Sequence, residues 1–393
     1  MVGCTVQDIL RRGFGEFRRT HRLPGYVLRA AYKMMNCRTR ALGGHVQRCP
    51  HGHIERVWYN SCKHRSCPQC SLLQLENWLA RQKSRLIACD HYHVVFTTPP
   101  ELHTLWRYNR RVLARLLFSS VNNTLLMLLA DPKYLGATPG ILSALHTWGR
   151  TLQLHPHIHC LVTGGGVTER GAWRKVRKDC LLPRKVLMMI FRGKYLDAIR
   201  KAADAGELRL PPKMTTTRLN NLLNKLGRAT WNVKILEKYK HGDGVLTYLA
   251  RYVRGGTIRN RRLVSCRDGE VRFRYRSHRD VDSAGRPREK VMSLSIDKFL
   301  ERLLQHVPPQ RTQIVRGCGL YANSKSNLLE QARSFHGQEP IEMPPTISWQ
   351  ELLAKLGDTK QSRCPICQAV LQRGEIIAPC RGPPYETMAS TSQ

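Results

Sequence analysis

The stretch His155-Pro156-His157-Ile158-His159 constrains what this chain can fold into more than any other feature. In a β-strand, successive side chains point to opposite faces, so three imidazoles share one face and the proline and isoleucine share the other. Neutral imidazole is the commonest metal ligand among side chains near physiological pH. Histidine makes up only 16 of the 393 residues. The stretch therefore predicts a strand with a metal site, rather than a surface strand that is rich in histidine by chance.

The charge of the chain indicates a polyanionic partner. There are 65 lysines and arginines against 28 aspartates and glutamates, which gives a formal net charge of +37. A chain with this charge repels itself unless a polyanion is bound, and the usual polyanion is nucleic acid. The same charge argues against a metal hydrolase that acts on small molecules. We therefore expect a protein that binds nucleic acid.

No stretch of the sequence reads as a membrane anchor. The most apolar helical segment, Val112–Ala130, is interrupted by Arg115, Asn122 and Asn123, which is typical of a buried helix and not of a membrane span. The charged N-terminal segment lacks the apolar core of a secretory signal. We expect a cytoplasmic protein with no membrane partner.

A compact cysteine and histidine module over residues 37–70 predicts a structural zinc site. The chain has 14 cysteines, and clustered cysteines in a reducing compartment bind metal more often than they form disulfides. The turn Cys67-Pro68-Gln69-Cys70 is of the zinc-knuckle type, because two intervening residues let both thiolates reach one tetrahedral ion. The candidate ligands are Cys49, His53 (or His51), Cys62, Cys67 and Cys70. Four protein ligands leave no open position, so the role is structural.

Two further sets of possible ligands stay open. Cys37 and His45 precede the module and could belong to a second ion. In the C-terminal tail, Cys364, Cys367 and Cys380 offer three thiolates without an obvious fourth ligand. The tail is therefore either an incomplete zinc site or a set of ordinary thiols.

Two tyrosines and a group of arginines could supply DNA chemistry. On a helix over residues 244–254, Tyr248 and Tyr252 share one face, because positions i and i+4 are neighbours. Two tyrosines at this spacing more often only pack against a neighbouring element, but here Arg251 and Arg254 lie beside them in the sequence. A tyrosine hydroxyl has a pKa of ~10 and needs help to act as a nucleophile. A divalent ion that polarises the attacked phosphate gives that help.

An arginine-faced β-hairpin follows over residues 261–277, with its turn at Asp268-Gly269. Its second strand alternates two kinds of side chain. The apolar positions are Val271, Phe273 and Tyr275, and the basic ones are Arg272, Arg274 and Arg276. The hairpin is therefore expected to present one face to a core and one face to phosphates.

Several motifs, in this order along the chain, resemble those of the bacterial rolling-circle insertion-sequence transposases, which belong to the HUH nucleases that act on single-stranded DNA. Besides the histidine strand and the paired tyrosines, they are Ala41–His45, Tyr59–Cys62, His93–Thr97, Leu145–Gly149 and Gly319-Leu320. The likeness extends from about residue 37 to 325. A departure lies at Gly52, where many members place a cysteine, and this departure leaves His51 or His53 as the candidate zinc ligand.

The resemblance implies an α+β fold with a central antiparallel sheet and flanking helices, preceded by a small zinc-binding domain. The expected domains are 1–88 (basic arm and zinc-binding), 89–330 (catalytic) and 331–393 (Pro-rich linker and tail). His157 and His159 would bind Mg²⁺ or Mn²⁺. His155 would be either a third ligand or a side chain that contacts the ligands without binding the ion. Tyr248 and Tyr252 would be the nucleophiles, although members with one tyrosine leave open whether both act.

The implied activity is cleavage and strand transfer of single-stranded DNA at the ends of the transposon and at its target, through a 5′-phosphotyrosine link. The implied location is the bacterial nucleoid. Two alternatives stay open: a plasmid replication initiator or relaxase with the same chemistry, and a non-catalytic zinc-finger protein that binds DNA. The second alternative leaves the histidine strand and the tyrosine pair without a use. The sequence does not specify an oligomeric state.

Overall fold

The computed structural model describes residues 4–177, 180–240, 244, 246–247, 256–283, 285–357 and 362–380, with the backbone alone at 237, 278 and 279. The chain divides into two compact units. One contains Met1–Asn77, Arg254–Val307 and Pro345–Gln393, and the other contains Trp78–Val253 and Pro308–Pro344. These units do not follow the three consecutive stretches 1–88, 89–330 and 331–393, because the chain returns twice to the first unit.

Helices and antiparallel strands make up most of the described residues. The α-helices are Val6–Thr20, Gly25–Met35, Leu72–Ser84, His103–Tyr108, Arg110–Ala130, Arg184–Asp204, Thr216–Arg228, Ile296–Leu304, Ser326–Ser334 and Trp349–Lys355. The β-strands are β1 (Gly44–Arg48), β2 (Glu55–Tyr59), β3 (His91–Thr97), β4 (Thr138–Trp148), β5 (Leu154–Val167), β6 (Trp173–Lys175), β7 (Val233–Tyr239), β8 (Leu263–Arg267), β9 (Glu270–Val281), β10 (Pro287–Ser295), β11 (Val315–Gly319) and β12 (Gln372–Ile377). The predicted α+β class is confirmed.

The larger unit is built on an antiparallel sheet with the order β11-β4-β5-β3-β7, and β6 pairs with the end of β5. The histidine strand β5 lies at the centre, between β4 and β3. This position agrees with the expectation of a central antiparallel sheet. It also brings the side chains of two neighbouring strands alongside the histidines.

One face of this sheet packs against helices and forms the main apolar core. Ile158 and Cys160 of β5 share a buried cluster with side chains from helices Arg110–Ala130 and Arg184–Asp204. Helix Arg110–Ala130 is long and apolar enough to cross a membrane, but 61% of its most apolar window is buried inside the protein. Its Leu113 and Leu117 are fully buried in that core, as the sequence predicts for a core helix.

The opposite face of the sheet is divided along its length. At one end it carries His157 and His159, and further along β5 it carries Leu161. Leu161 packs in a second buried cluster with Ala144 of β4 and with Leu246. Because Ala144 is paired with His159 in the register of β4 and β5, the apolar cluster and the histidines lie on the same face.

In the other unit, a small sheet has the order β12-β1-β2. Strand β12 comes from the C-terminal segment, yet it pairs antiparallel with β1, where Gly44 is opposite Ile377 and Arg48 is opposite Gln372. The C-terminal segment thus completes the sheet of the cysteine module. It does not form a separate tail.

A second sheet of the same unit, with the order β10-β9-β8, contains the hairpin expected from the sequence. Asp268 and Gly269 have φ values of 51° and 75°, the left-handed pair that a two-residue hairpin turn requires. On β9, Val271 and Phe273 are fully buried. Helix Ile296–Leu304 follows directly, and its Phe299 ring lies 5.9 Å from that of Phe273.

Candidate functional site

Three histidines from two neighbouring strands form the candidate catalytic centre. His157 and His159 come from β5, and His146 of β4 is paired directly with His157. One ring nitrogen of each lies within 4.8 Å of those of the other two. All three side chains are buried. Three converging imidazoles form a donor set for a divalent ion that leaves coordination positions open for a substrate.

His155 lies beside this group and is not a member of it. Its ring is 4.9 Å from that of His157, but its ring nitrogens are not among the grouped donors. Its backbone carbonyl oxygen lies 2.6 Å from Nδ1 of His157. The third imidazole of the group is therefore His146, and His155 has the second of the two positions that the sequence left open for it, next to a member of the group. Sequence reasoning missed His146 because only the pairing of β4 with β5 brings it there.

A fourth buried histidine, His93 of β3, contacts the group from the other side. Its Nε2 lies 2.7 Å from Nδ1 of His159. If Nδ1 of His159 carries the proton and donates it to His93, the lone pair of His159 is on Nε2. In the same way, the carbonyl of His155 holds a proton on Nδ1 of His157. Such contacts behind metal-binding histidines fix the tautomer and the orientation of the ring.

The environment keeps these imidazoles neutral, which is the protonation state that binds metal. Burial lowers the pKa of His157 to about 4. Burial, and then the neighbouring His157 and His93, lower the pKa of His159 to about 2. The pKa of His146 is also well below its ordinary value, first because of burial and then because of His159 and His157.

The predicted nucleophiles Tyr248 and Tyr252, and the predicted phosphate contacts Arg251 and Arg254, lie outside the described residues. The part of this segment that the structure does describe includes Leu246. It is fully buried in the apolar cluster beside the histidines.

The other predicted phosphate contacts lie on β9. The side chains of Arg272, Arg274 and Arg276 are exposed and alternate with buried or half-buried apolar ones. Arg274 forms an ion pair with Glu289 of β10 at 3.6 Å, and Arg276 is paired with the same residue in the register of the two strands. The predicted separation into an apolar face and a basic face is present on this strand.

The cysteines expected to form one zinc site are divided between two groups. In the first, the sulfurs of four cysteines lie within 4.8 Å of one another: Cys37, Cys62, Cys67 and Cys70. Sγ of Cys62 and Sγ of Cys70 are 3.6 Å apart, close to the edge of a zinc–thiolate tetrahedron. The backbone N–H of Cys62 donates to Sγ of Cys37. Cys37, left open by the sequence, thus takes the place expected for Cys49 or His53.

The second group joins Cys49 and His53 to Cys364 and Cys367 of the C-terminal segment, again within 4.8 Å. Neither His51, His45 nor Cys380 belongs to either group. The grouping differs from the candidate set of the first site because β12 pairs with β1 and brings the tail cysteines to Cys49. No spacing in the sequence indicates that pairing.

Two family models match the chain. Residues 140–328 match the family Y2_Tnp, described as "Putative transposase", and residues 9–98 match Zn_Tnp_IS91, described as "Transposase zinc-binding domain". The second match contains the four-cysteine group, and the first contains the three histidines.

Similar proteins extend the match to nearly the whole chain. "Putative transposase y4qJ" of Sinorhizobium fredii is 34% identical over 97% of this chain and 98% of its own length. "Transposase for insertion sequence element IS801" of Pseudomonas savastanoi pv. phaseolicola is 32% identical over 74% of this chain and 69% of its own length. A solved structure of the conjugative relaxase TrwC with oriT DNA covers 40% of this chain and 72% of that chain at 13% identity, and its TM-score of 0.24 is too low to support a conclusion. The chain belongs to the family of rolling-circle insertion-sequence transposases that includes the IS801 transposase, and it is a transposase.

Proposed function

We propose that this transposase cuts and joins single-stranded DNA by transesterification, with a tyrosine hydroxyl as the nucleophile and a divalent ion at the histidine group. The observation that carries the proposal is the convergence of His146, His157 and His159 on one face of the central sheet, beside the cluster that contains Leu246.

The donor set fits a divalent transition-metal ion. The three imidazoles are neutral, and burial and hydrogen bonds behind two of the rings hold them in place. Mg²⁺ prefers oxygen ligands, whereas imidazole binds transition metals. We therefore expect Mn²⁺ to bind more tightly than Mg²⁺ to the protein alone. A bound ion would supply positive charge that polarises the scissile phosphate.

The position of Leu246 supports Tyr248 as a nucleophile. Leu246 packs with Leu161 and Ala144, and Ala144 is the partner of His159 across β4 and β5. Tyr248 follows Leu246 by two residues, and two residues of chain span at most about 7 Å. Tyr248 is therefore the first candidate, because its place in the sequence is two residues from a side chain that packs beside the histidines. Tyr252 is the second candidate.

The proposed reaction exchanges one phosphodiester for another. The tyrosine oxygen forms a bond to phosphorus and loses its proton, while the bond from phosphorus to the 3′-oxygen breaks and that oxygen takes up a proton. The products are a 5′-phosphotyrosine and a free 3′-hydroxyl. No nucleotide cofactor is needed because the covalent link conserves the phosphodiester. A second tyrosine could accept a second strand while the first is occupied, which suits strand transfer.

The covalent product gives the test. Wild-type protein, Tyr248→Phe, Tyr252→Phe and the double variant are incubated with Mn²⁺ and a 5′- or 3′-labelled oligonucleotide from an element end, single-stranded or duplex. We expect a denaturant-resistant adduct with single-stranded DNA that the double variant does not form. Tyr108→Phe, at an exposed tyrosine of the same unit, is the matched control. An adduct formed by the double variant would refute the assignment of the nucleophile.

DNA is also the proposed partner of the arginine face of β9. Its exposed guanidinium groups offer charge-assisted contacts to phosphates, which need no particular base sequence. A DNA partner and a reducing environment for the cysteine groups fit the cytoplasm and the nucleoid as the proposed location.

A further inference from the structure

We infer that the protein binds a second structural zinc ion through Cys49, His53, Cys364 and Cys367, so that the C-terminal segment is part of the zinc-binding module. The matched zinc-binding family ends at residue 98 and contains only two of these four ligands. The inference does not depend on the proposed DNA chemistry.

The distances between the donor atoms fit one tetrahedral ion. Sγ of Cys49 lies 3.5 Å from Sγ of Cys367 and 3.6 Å from Nδ1 of His53. Sγ of Cys364 lies 3.9 Å from the same Nδ1. Zinc bonds of about 2.3 Å to sulfur and about 2.0 Å to nitrogen require tetrahedral edges of roughly 3.5–3.8 Å. Three protein thiols and one imidazole are a common structural zinc donor set.

Backbone amides around these cysteines are arranged to stabilise thiolates. The N–H of His51 donates to Sγ of Cys49 at 3.4 Å. The amides of Ile366 and Cys367 donate to Cys364. The amide of Ala369 donates to Cys367. Hydrogen bonds of this kind favour the deprotonated sulfur, which is the form that binds metal.

The apolar packing around the group is small, so little besides the pairing of β12 with β1 joins these segments. The buried cluster consists of Cys49, Cys364 and Leu371, with Ile54 and Cys367 packed against it. Two of the three buried members are therefore ligands. Small modules with so little apolar core usually depend on a metal or a disulfide.

A disulfide between Cys49 and Cys367 is the competing explanation for their proximity. It would use two of the four side chains and would leave Cys364 and His53 without a function. An ion uses all four. The two explanations differ in metal content and in the number of free thiols, so one set of measurements separates them.

The test is the zinc content of the full-length protein, purified under reducing conditions, by mass spectrometry. We expect Cys364→Ser/Cys367→Ser to contain one zinc equivalent less than the wild type. Cys67→Ser/Cys70→Ser should also lose one, from the other group. Cys380→Ser is the matched control, because this exposed tail cysteine lies outside both groups, and it should retain the wild-type content. Comparison with the wild type removes any contribution from zinc at the histidines.

Cobalt substitution shows whether a variant that loses metal has merely unfolded. The Cys364→Ser/Cys367→Ser variant should keep the thiolate-to-cobalt absorption of the four-cysteine group and lose that of the second group. An unchanged metal content in this variant would refute the inference. The thiols of the wild-type protein can also be counted after denaturation in the presence of a chelator. A count of 12 in place of 14 would indicate the disulfide and would also refute the inference.

Discussion

At the scale of single residues, two hydrogen bonds determine which ring nitrogen of each histidine is available to an ion. The carbonyl of His155 contacts Nδ1 of His157, and His93 contacts Nδ1 of His159. In both cases the contact favours Nε2 as the donor to the metal. A residue outside the donor group can therefore control the affinity of the group.

His146 and His155 provide a direct test of membership in the group. His146→Ala removes one of the three donors. Loss of a hydrogen-bond partner of a ligand typically weakens metal binding by about 10–100-fold, and we expect loss of the ligand itself to weaken Mn²⁺ binding by more. His155→Ala keeps the backbone carbonyl and should change the affinity much less. Calorimetric titration with Mn²⁺ measures both. A larger loss for His155→Ala would show that His155 is the ligand.

His93 should act through His159. His93→Phe keeps an aromatic ring but removes the hydrogen-bond partner of Nδ1, and we expect Mn²⁺ affinity to fall by about 10–100-fold. His93→Gln offers an amide oxygen as an acceptor and should recover part of that loss. Thermal unfolding of the metal-free variants controls for general destabilisation. Equal affinities of wild type and His93→Phe would contradict this role.

The sequence was sufficient to indicate some of these residues. Alternation within one strand is local, so His157 and His159 could be assigned to one face from five consecutive residues. His146 and His93 could not be assigned to the group, because their positions depend on which strands are neighbours and in which register. The strands β4 and β5 are consecutive, but their register contains shifts that no periodic signal in the chain indicates, and β3 is distant from β5 in sequence.

At the scale of elements, β9 combines a buried apolar face and a face of exposed arginines. Val271 and Phe273 are buried on one face of the strand, and the arginines are exposed on the other. The strand lies in the middle of its sheet, between β8 and β10, so its arginines have paired backbone on both sides. A rigid strand holds three charges at a spacing of two residues, about 6.5–7 Å.

Replacing Arg272, Arg274 and Arg276 together by glutamine should weaken binding to single-stranded DNA. The loss should also reduce the magnitude of the slope of log K against log salt by about 2, because each phosphate contact on a single strand contributes about 0.7. Fluorescence anisotropy at several salt concentrations measures this slope. The control is a triple glutamine variant with the same loss of three positive charges, at the exposed residues Arg184, Lys185 and Lys201. Equal slopes for the two variants would remove β9 from the interface.

Elements with a strong local pattern were predictable, and short or edge strands were not. The hairpin turn at Asp268-Gly269 and the buried helix expected at Val112–Ala130 agree closely with the structure. Strands β11 and β12 are short edge strands that pair with partners distant in sequence, β4 and β1.

At the scale of the whole molecule, family membership selects among functions that the composition allows. The charge of +37 alone suits a transposase, a plasmid initiator and a zinc-finger protein. Relatives at 34% and 32% identity, together with the two matching families, identify the transposase.

The pairing of β12 with β1 has a consequence for the order of events during synthesis. The four-cysteine group is complete once Cys70 has left the ribosome. The second group must wait for Cys367, about 300 residues later, or roughly 15–60 s at ~5–20 residues per second. During that interval β1 has one of its two neighbours only. A nascent or truncated chain would thus have an unpaired edge of β1 and only two of the four ligands. In the finished chain, the C-terminal segment supplies both the pairing strand and the two missing ligands.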